Sequence, residues 1–105
     1  MIKSSPVLLL VLLLSALASC KNAPVACFMV TTPTDSIKAG SIVKFDAGCS
    51  SGATAFYWDF GNGQDTTGVQ TAQTVYTTVA TYSVALVVGS SGKSNSLTKK
   101  IVVLP

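Results

Sequence analysis

Phe56-Tyr57-Trp58-Asp59-Phe60-Gly61-Asn62-Gly63 is the stretch that decides the fold. Successive side chains of an extended strand point to opposite faces, so Phe56, Trp58 and Phe60 fall on one side and Tyr57 and Asp59 on the other. Three large aromatics share one parity, among them the only tryptophan of the chain, and they make that side a core face. Gly61-Asn62-Gly63 follows at once, with residues that tolerate the positive φ of a tight reversal. The spacing predicts a central strand over residues 55–60 that takes Trp58 into a core and then turns back.

The same alternation extends outward in both directions. Upstream, residues 42–46 read as a strand with Val43 and Phe45 inward, followed by a loop of small residues over 47–54. Residues 25–31 read as a first strand, and 32–36 and 38–41 as turns. Downstream, 64–67 is a short edge strand that Gly68 breaks. Residues 69–76 form a further strand whose Thr and Gln content suggests exposure. The cleanest alternation is 81–88, with Tyr82, Val84, Leu86 and Val88 on one face. A hairpin loop over 89–92 leads into a last strand over 94–104. There Leu97, Ile101 and Val103 share their parity with Lys99, which calls for either a bulge or a lysine reaching out at an edge. No helical period follows residue 20. The reading is all-β: an antiparallel β-sandwich of about seven strands.

The central motif, aromatic-x-Trp-Asp-Phe-Gly-Asn-Gly, resembles the signature of the PKD domain, the immunoglobulin-like repeat named after polycystic kidney disease. Val43-Lys44-Phe45-Asp46-Ala47-Gly48-Cys49-Ser50 is similar to that family's second strand and following turn. Val75-Tyr76 with Thr81 to Val88 is similar to its penultimate strand. The chain departs from the family pattern at Asn62, where Asp is usual, at Ala80, where Gly is usual, and at Thr74, where His is common. The resemblance implies an immunoglobulin-like sandwich and an interaction role of the kind such domains play beside enzymes or adhesins. It also implies that Tyr82, at a strand entrance, bonds its hydroxyl back to the chain.

The N-terminus reads as an address. A basic start at Lys3, an apolar run over residues 7–14 and a small, weakly polar stretch over 15–19 have the order of a secretory signal. The run is too short to span a bilayer as a retained helix. Leu17-Ala18-Ser19-Cys20 resembles the bacterial lipobox, in which the cysteine is diacylglycerated and becomes the first mature residue. The alternative is an ordinary secretory signal with an unmodified Cys20. The expected organisation is a signal over 1–19, a lipidated Cys20 with a short tether over 20–25, and one PKD-like domain over 26–105. The expected location is the bacterial envelope, and Lys21 after the cysteine points to the outer membrane. Three cysteines are an odd count. Lipidation of Cys20 leaves Cys27 and Cys49 as a pair that an oxidising envelope lets bridge. Two free thiols or an intermolecular bridge are the alternatives.

Composition excludes more than it assigns. The chain has 105 residues, room for one domain, and only 10% are charged. Its seven Lys and four Asp leave a net charge of +3, too small and dispersed for a nucleic-acid footprint. With no His, Arg or Glu, the usual general base, nitrogen metal ligand and bidentate phosphate clamp are missing, so no enzyme and no small-molecule substrate are expected. No cofactor is expected either. Asp46 and Asp59 read either as a calcium or acid pair or as turn carboxylates that accept backbone N–H bonds, and the turn role is favoured. Tyr57 has the outward parity and, with Gln64, Gln70 and Gln73, forms a candidate polar-aromatic binding face; scattered surface is the alternative. The expected function is a membrane-anchored lipoprotein carrying a non-catalytic module for a glycan or an envelope protein. The alternative is a structural subunit that docks by its sheet edge.

Overall fold

The structure, a computed structural model, describes residues 22–105; the signal and Cys20 lie outside the described residues. Seven strands follow in order: β1 (Met29–Val30), β2 (Ile42–Asp46), β3 (Ala55–Asp59), β4 (Asp65–Thr67), β5 (Thr71–Val75), β6 (Ala80–Ser90) and β7 (Lys93–Val103). One 3-10 turn, Thr34–Ser36, lies between β1 and β2. A three-stranded sheet has the order β1-β2-β5, and a four-stranded sheet has the order β4-β3-β6-β7. All pairings within both sheets are antiparallel. The molecule is thus the seven-stranded, all-β sandwich expected from the strand periods.

The core is set by period-two alternation from both sheets. Val43 and Phe45 of β2 meet Trp58 of β3 and Val84, Leu86 and Val88 of β6, all fully or almost fully buried. Trp58 is the hub: its ring lies 5.2 Å from Phe28 edge-on, 5.7 Å from Phe45 and 6.4 Å from Phe60, centroid to centroid. Its indole N–H, which would be costly to bury unpaired, donates to the Val69 carbonyl at 2.9 Å. Phe56 is only half-buried, at the rim of this cluster. Tyr76, from the stretch expected to be exposed, is 1% exposed, and its hydroxyl donates to the Phe60 carbonyl at 2.7 Å. Among the described residues, no buried side-chain polar atom lacks a partner.

Two elements differ from their expected form. The first strand shrinks to Met29–Val30, paired with Asp46 and Phe45. The residues before it join a different partner: Val25 exchanges both backbone bonds with Ser51, at 2.9 and 3.1 Å. The Ser50 hydroxyl takes the N–H of Cys27 at 2.9 Å and donates to its C=O at 2.7 Å. The Cys27–Cys49 disulfide closes this junction. Second, the β6–β7 hairpin turns tightly at Ser91-Gly92, because the ladder runs unbroken to Ser90↔Lys93. For β7 the structure decides between the two expected alternatives: the register holds with no bulge, and Lys99, at the core-side parity, reaches out at the sheet edge. It reaches from β7 across to the residue before β1: Nζ donates to the Phe28 carbonyl at 2.6 Å and lies 5.1 Å from the Phe28 ring centroid.

Candidate functional site

β4 is an edge of one sheet and β5 an edge of the other, so between them the sandwich is open. A cleft of about 750 Å³ lies there. Phe60, Val69 and Ala72 give it an apolar floor, and Lys44, Asp46, Gln64, Asp65, Thr66 and Gln73 give it a polar rim. The combination of apolar surface with a few directed polar groups is what small-ligand sites share.

The rim is built by the turn after β3. Gly61 has φ +79° and Gly63 φ +88°, and between them Asn62 is held on both ends of its amide. Its Oδ1 accepts the Gln64 backbone N–H at 3.1 Å. Its Nδ2 donates to the Thr74 hydroxyl at 3.1 Å and to the Val75 carbonyl at 3.2 Å. The Thr74 hydroxyl, on a residue only 6% exposed, donates in turn to Gln64 Oε1 at 2.9 Å. Sequence reasoning singled out Asn62 and Thr74 only as departures from a pattern, and their meeting across the edge was not legible.

The proposed polar-aromatic face does not assemble as one surface. Gln64 and Gln73 both line the cleft. Tyr57 alternates with buried Trp58 on β3, whereas Gln73 alternates with buried Thr74 on β5. Each points out of its own sheet, and the outer sides of two packed sheets face away from each other. Tyr57 instead borders a second, shallower groove of about 500 Å³ with Phe56, Thr67 and Val87. Its one link to the cleft is a long 3.4 Å hydrogen bond to Asp65 Oδ2. Partial desolvation, then the carboxylates of Asp65 and Asp59, raises the Tyr57 pKa above the usual tyrosine range. Gln70 stands apart as well, accepting the Ala47 N–H on its carbonyl at 2.9 Å with its side-chain amide against Gly48.

The turn carboxylates lie on different sheets. Asp46 Oδ1 accepts the Gly48 N–H at 2.8 Å and Asp59 Oδ1 accepts the Gly61 N–H at 3.0 Å. Both are local bonds to the residue two positions on. Asp59 stands directly opposite Asp65 in the β3–β4 register, without a third ligand. Among the described residues no group of three or more Cys, Asp or Glu side chains is placed to hold a metal ion.

The sequence matches the PKD domain family over residues 21–104, four-fifths of the chain. The chain belongs to the PKD domain family. Solved structures place this PKD domain among like folds. It is 31% identical to the PKD1 domain of the Vibrio cholerae metalloprotease PrtV, with a TM-score of 0.65, covering 80% of this chain and 100% of that one. The PKD1 domain of Vibrio anguillarum Epp is 29% identical, with a TM-score of 0.65 and coverage of 82% and 100%. A structure from work on the promiscuous specificity of carbohydrate-binding modules of the β-sandwich superfamily is 31% identical, with a TM-score of 0.72 over 79% of this chain. This PKD domain spans only 35% of that longer chain. No curated protein matches the chain.

Proposed function

We propose that this protein is a lipid-anchored lipoprotein of the bacterial envelope whose single PKD domain is a non-catalytic module for binding polysaccharide, with the cleft between β4 and β5 as its site. In this reading residues 1–19 are removed, Cys20 carries the acyl chains, and the few residues between Cys20 and the folded domain tether it to the outer membrane. Several acyl chains on one residue make such anchoring stable, where one would be marginal. The observation that carries the binding role is the cleft itself: apolar carbons at its floor and amide, hydroxyl and carboxylate groups at its rim suit a sugar's apolar ring face and its hydroxyls. The similarity to a carbohydrate-binding module supports the same reading. The chain supplies no His, Arg or Glu with which to build common hydrolytic machinery, which supports a non-catalytic role.

A second reading is favoured by one feature. β7 is an eleven-residue edge strand, and among the described residues the backbone pairing on its outer side comes just past its end, where Leu104 meets Ile37 and Ala39. Such an edge can accept a strand from an envelope protein. Covalent crosslinking in intact cells separates the two, with Cys20→Ala as the unanchored control. Retention on cell-wall or extracellular polysaccharide without a protein adduct supports the glycan module. One protein captured only by the anchored form supports the docking subunit and overturns the glycan reading.

A further inference from the structure

We infer that Gln64 is the specificity-determining donor of the cleft, held by a hydrogen-bond relay from Asn62 through Thr74 so that its amide N–H groups are offered to a neutral saccharide. The inference rests on the glycan reading of the cleft and adds which atom reads the ligand.

The direction of each bond in the relay follows from proton counting. The Asn62 atom that meets the Gln64 backbone N–H must be an acceptor, so it is Oδ1. The other end of that amide is therefore Nδ2, which meets the Val75 carbonyl, an acceptor only, and the Thr74 hydroxyl. Thr74 thus accepts on its oxygen and still has one proton to place. It is 6% exposed, so that proton needs a protein partner, and the partner is Gln64 Oε1 at 2.9 Å. With its oxygen committed, Gln64 turns its NH2 the other way. Gln64 is exposed and lines the cleft, and its Nε2 has no hydrogen-bond partner among the described residues. The Gln64 backbone is pinned too, because its carbonyl accepts the Phe60 N–H at 3.1 Å. A long polar side chain that would normally lose rotamer entropy on binding has already lost it here.

The rim around this donor narrows the ligand class. Asp46 and Asp65 stand against one cation, Lys44, so an anionic sugar meets net repulsion. A neutral residue fits: a ring, hydroxyl or N-acetyl carbonyl oxygen accepts from Gln64, while its own hydroxyl or amide protons go to Asp46 or Asp65. Asn62 and Thr74 are positioning residues, since neither needs to touch the ligand. The departures from the family pattern at 62 and 74 then belong together. An aspartate at 62 could not donate to Thr74, and the relay would lose its direction.

The test uses the full lipoprotein in detergent micelles. Its probes are neutral hexose and N-acetylhexosamine oligosaccharides and a polyuronate, and its variants are Gln64→Glu, Thr74→Val, Thr74→Ser and the double variant of the first two. Gln64→Glu keeps the bond from Thr74 but presents an oxygen to the ligand, so neutral oligosaccharide affinity should fall about tenfold or more. Thr74→Val should lose a comparable factor, Thr74→Ser should restore it, and the double variant should lose no more than either single change. Without ligand, the Gln64 side-chain amide should give a rigid NMR signal in the parent chain and a mobile one in Thr74→Val. Neutral oligosaccharide bound equally by parent, Gln64→Glu and Thr74→Val overturns the role of Gln64 while leaving the glycan module standing. Preference for the polyuronate overturns the ligand class. A rigid Gln64 amide with no oligosaccharide bound overturns the glycan reading and the specificity role together.

Discussion

Gly61 and Gly63 flank one turn and have nearly the same positive φ, +79° and +88°, yet a Cβ would meet different surroundings at the two positions. At Gly63 it would point into open space. At Gly61 it would collide with the backbone oxygen of Ser83, a neighbour that cannot swing aside. Gly63→Ala should therefore cost only the left-handed backbone term, about 1–2 kcal/mol. Gly61→Ala adds an overpacking cost and should lose roughly 3 kcal/mol or more in urea unfolding. Tyr76 is the residue that sequence reading missed. It lies in a run rich in Thr and Gln, and parity within that run does not reveal that the ring closes the bottom of the core against Tyr82, 4.4 Å away. Burial first, then Tyr82 and Asp59, pushes its pKa well above the usual tyrosine range. A folded-state pKa above the unfolded one means stability that is complete below pH about 10 and declines as pH rises through the folded value. Tyr76→Phe should leave the Phe60 carbonyl without its donor, cost about 1–2 kcal/mol at neutral pH, and flatten the alkaline decline followed by tryptophan fluorescence.

The strands with regular period-two alternation are the easiest to read. β2, β3 and β6 each alternate large apolar and small or polar residues against a single core, so their inward residues follow from parity alone. β7 and β1 did not yield in the same way, because each depends on a contact far along the chain. Lys99 breaks the apolar parity of β7, and no local rule shows that the Phe28 carbonyl, 71 residues away in sequence, is waiting for it. Lys99→Ala should therefore lower the melting temperature more than Lys100→Ala, whose outward side chain makes no such bond. The two-residue β1 is short because residues 25–27 are drawn off to Ser50 and Ser51, and the disulfide fixes that choice. Replacing both Cys27 and Cys49 by Ala should cost about 3 kcal/mol in urea unfolding, the loop-closure value for a link of this length.

At the scale of the whole molecule, one limit of sequence reading governs the site. Parity tells whether a side chain leaves its own sheet inward or outward, but not which sheet the strand joins. Tyr57 and Gln73, grouped in sequence as one polar-aromatic face, separate because β3 and β5 belong to opposite layers. Gln64 and Gln73 share the cleft because it lies between the edges of those layers, β4 on one and β5 on the other. The family, the sandwich and its core were open to inspection from one eight-residue motif and the strands around it, whereas the cleft exists only once the layers are stacked.

The junction of residues 25–27 with 49–51 also fixes how the domain answers to mechanical load. A pull applied at the N-terminus of the domain reaches Cys27 and passes through the sulfur bridge to Cys49, so the 22-residue span between them, with all of β2, is shielded from extraction. Single-molecule stretching between the two termini should give a contour-length gain that grows by about 70 Å when reductant is added, the reach of the released span. The same gain with and without reductant would mean that the bridge does not take the force. With the bridge closed, β1 and β2 lie off the load path altogether, and only the chain before Cys27 and beyond Cys49 is free to extend.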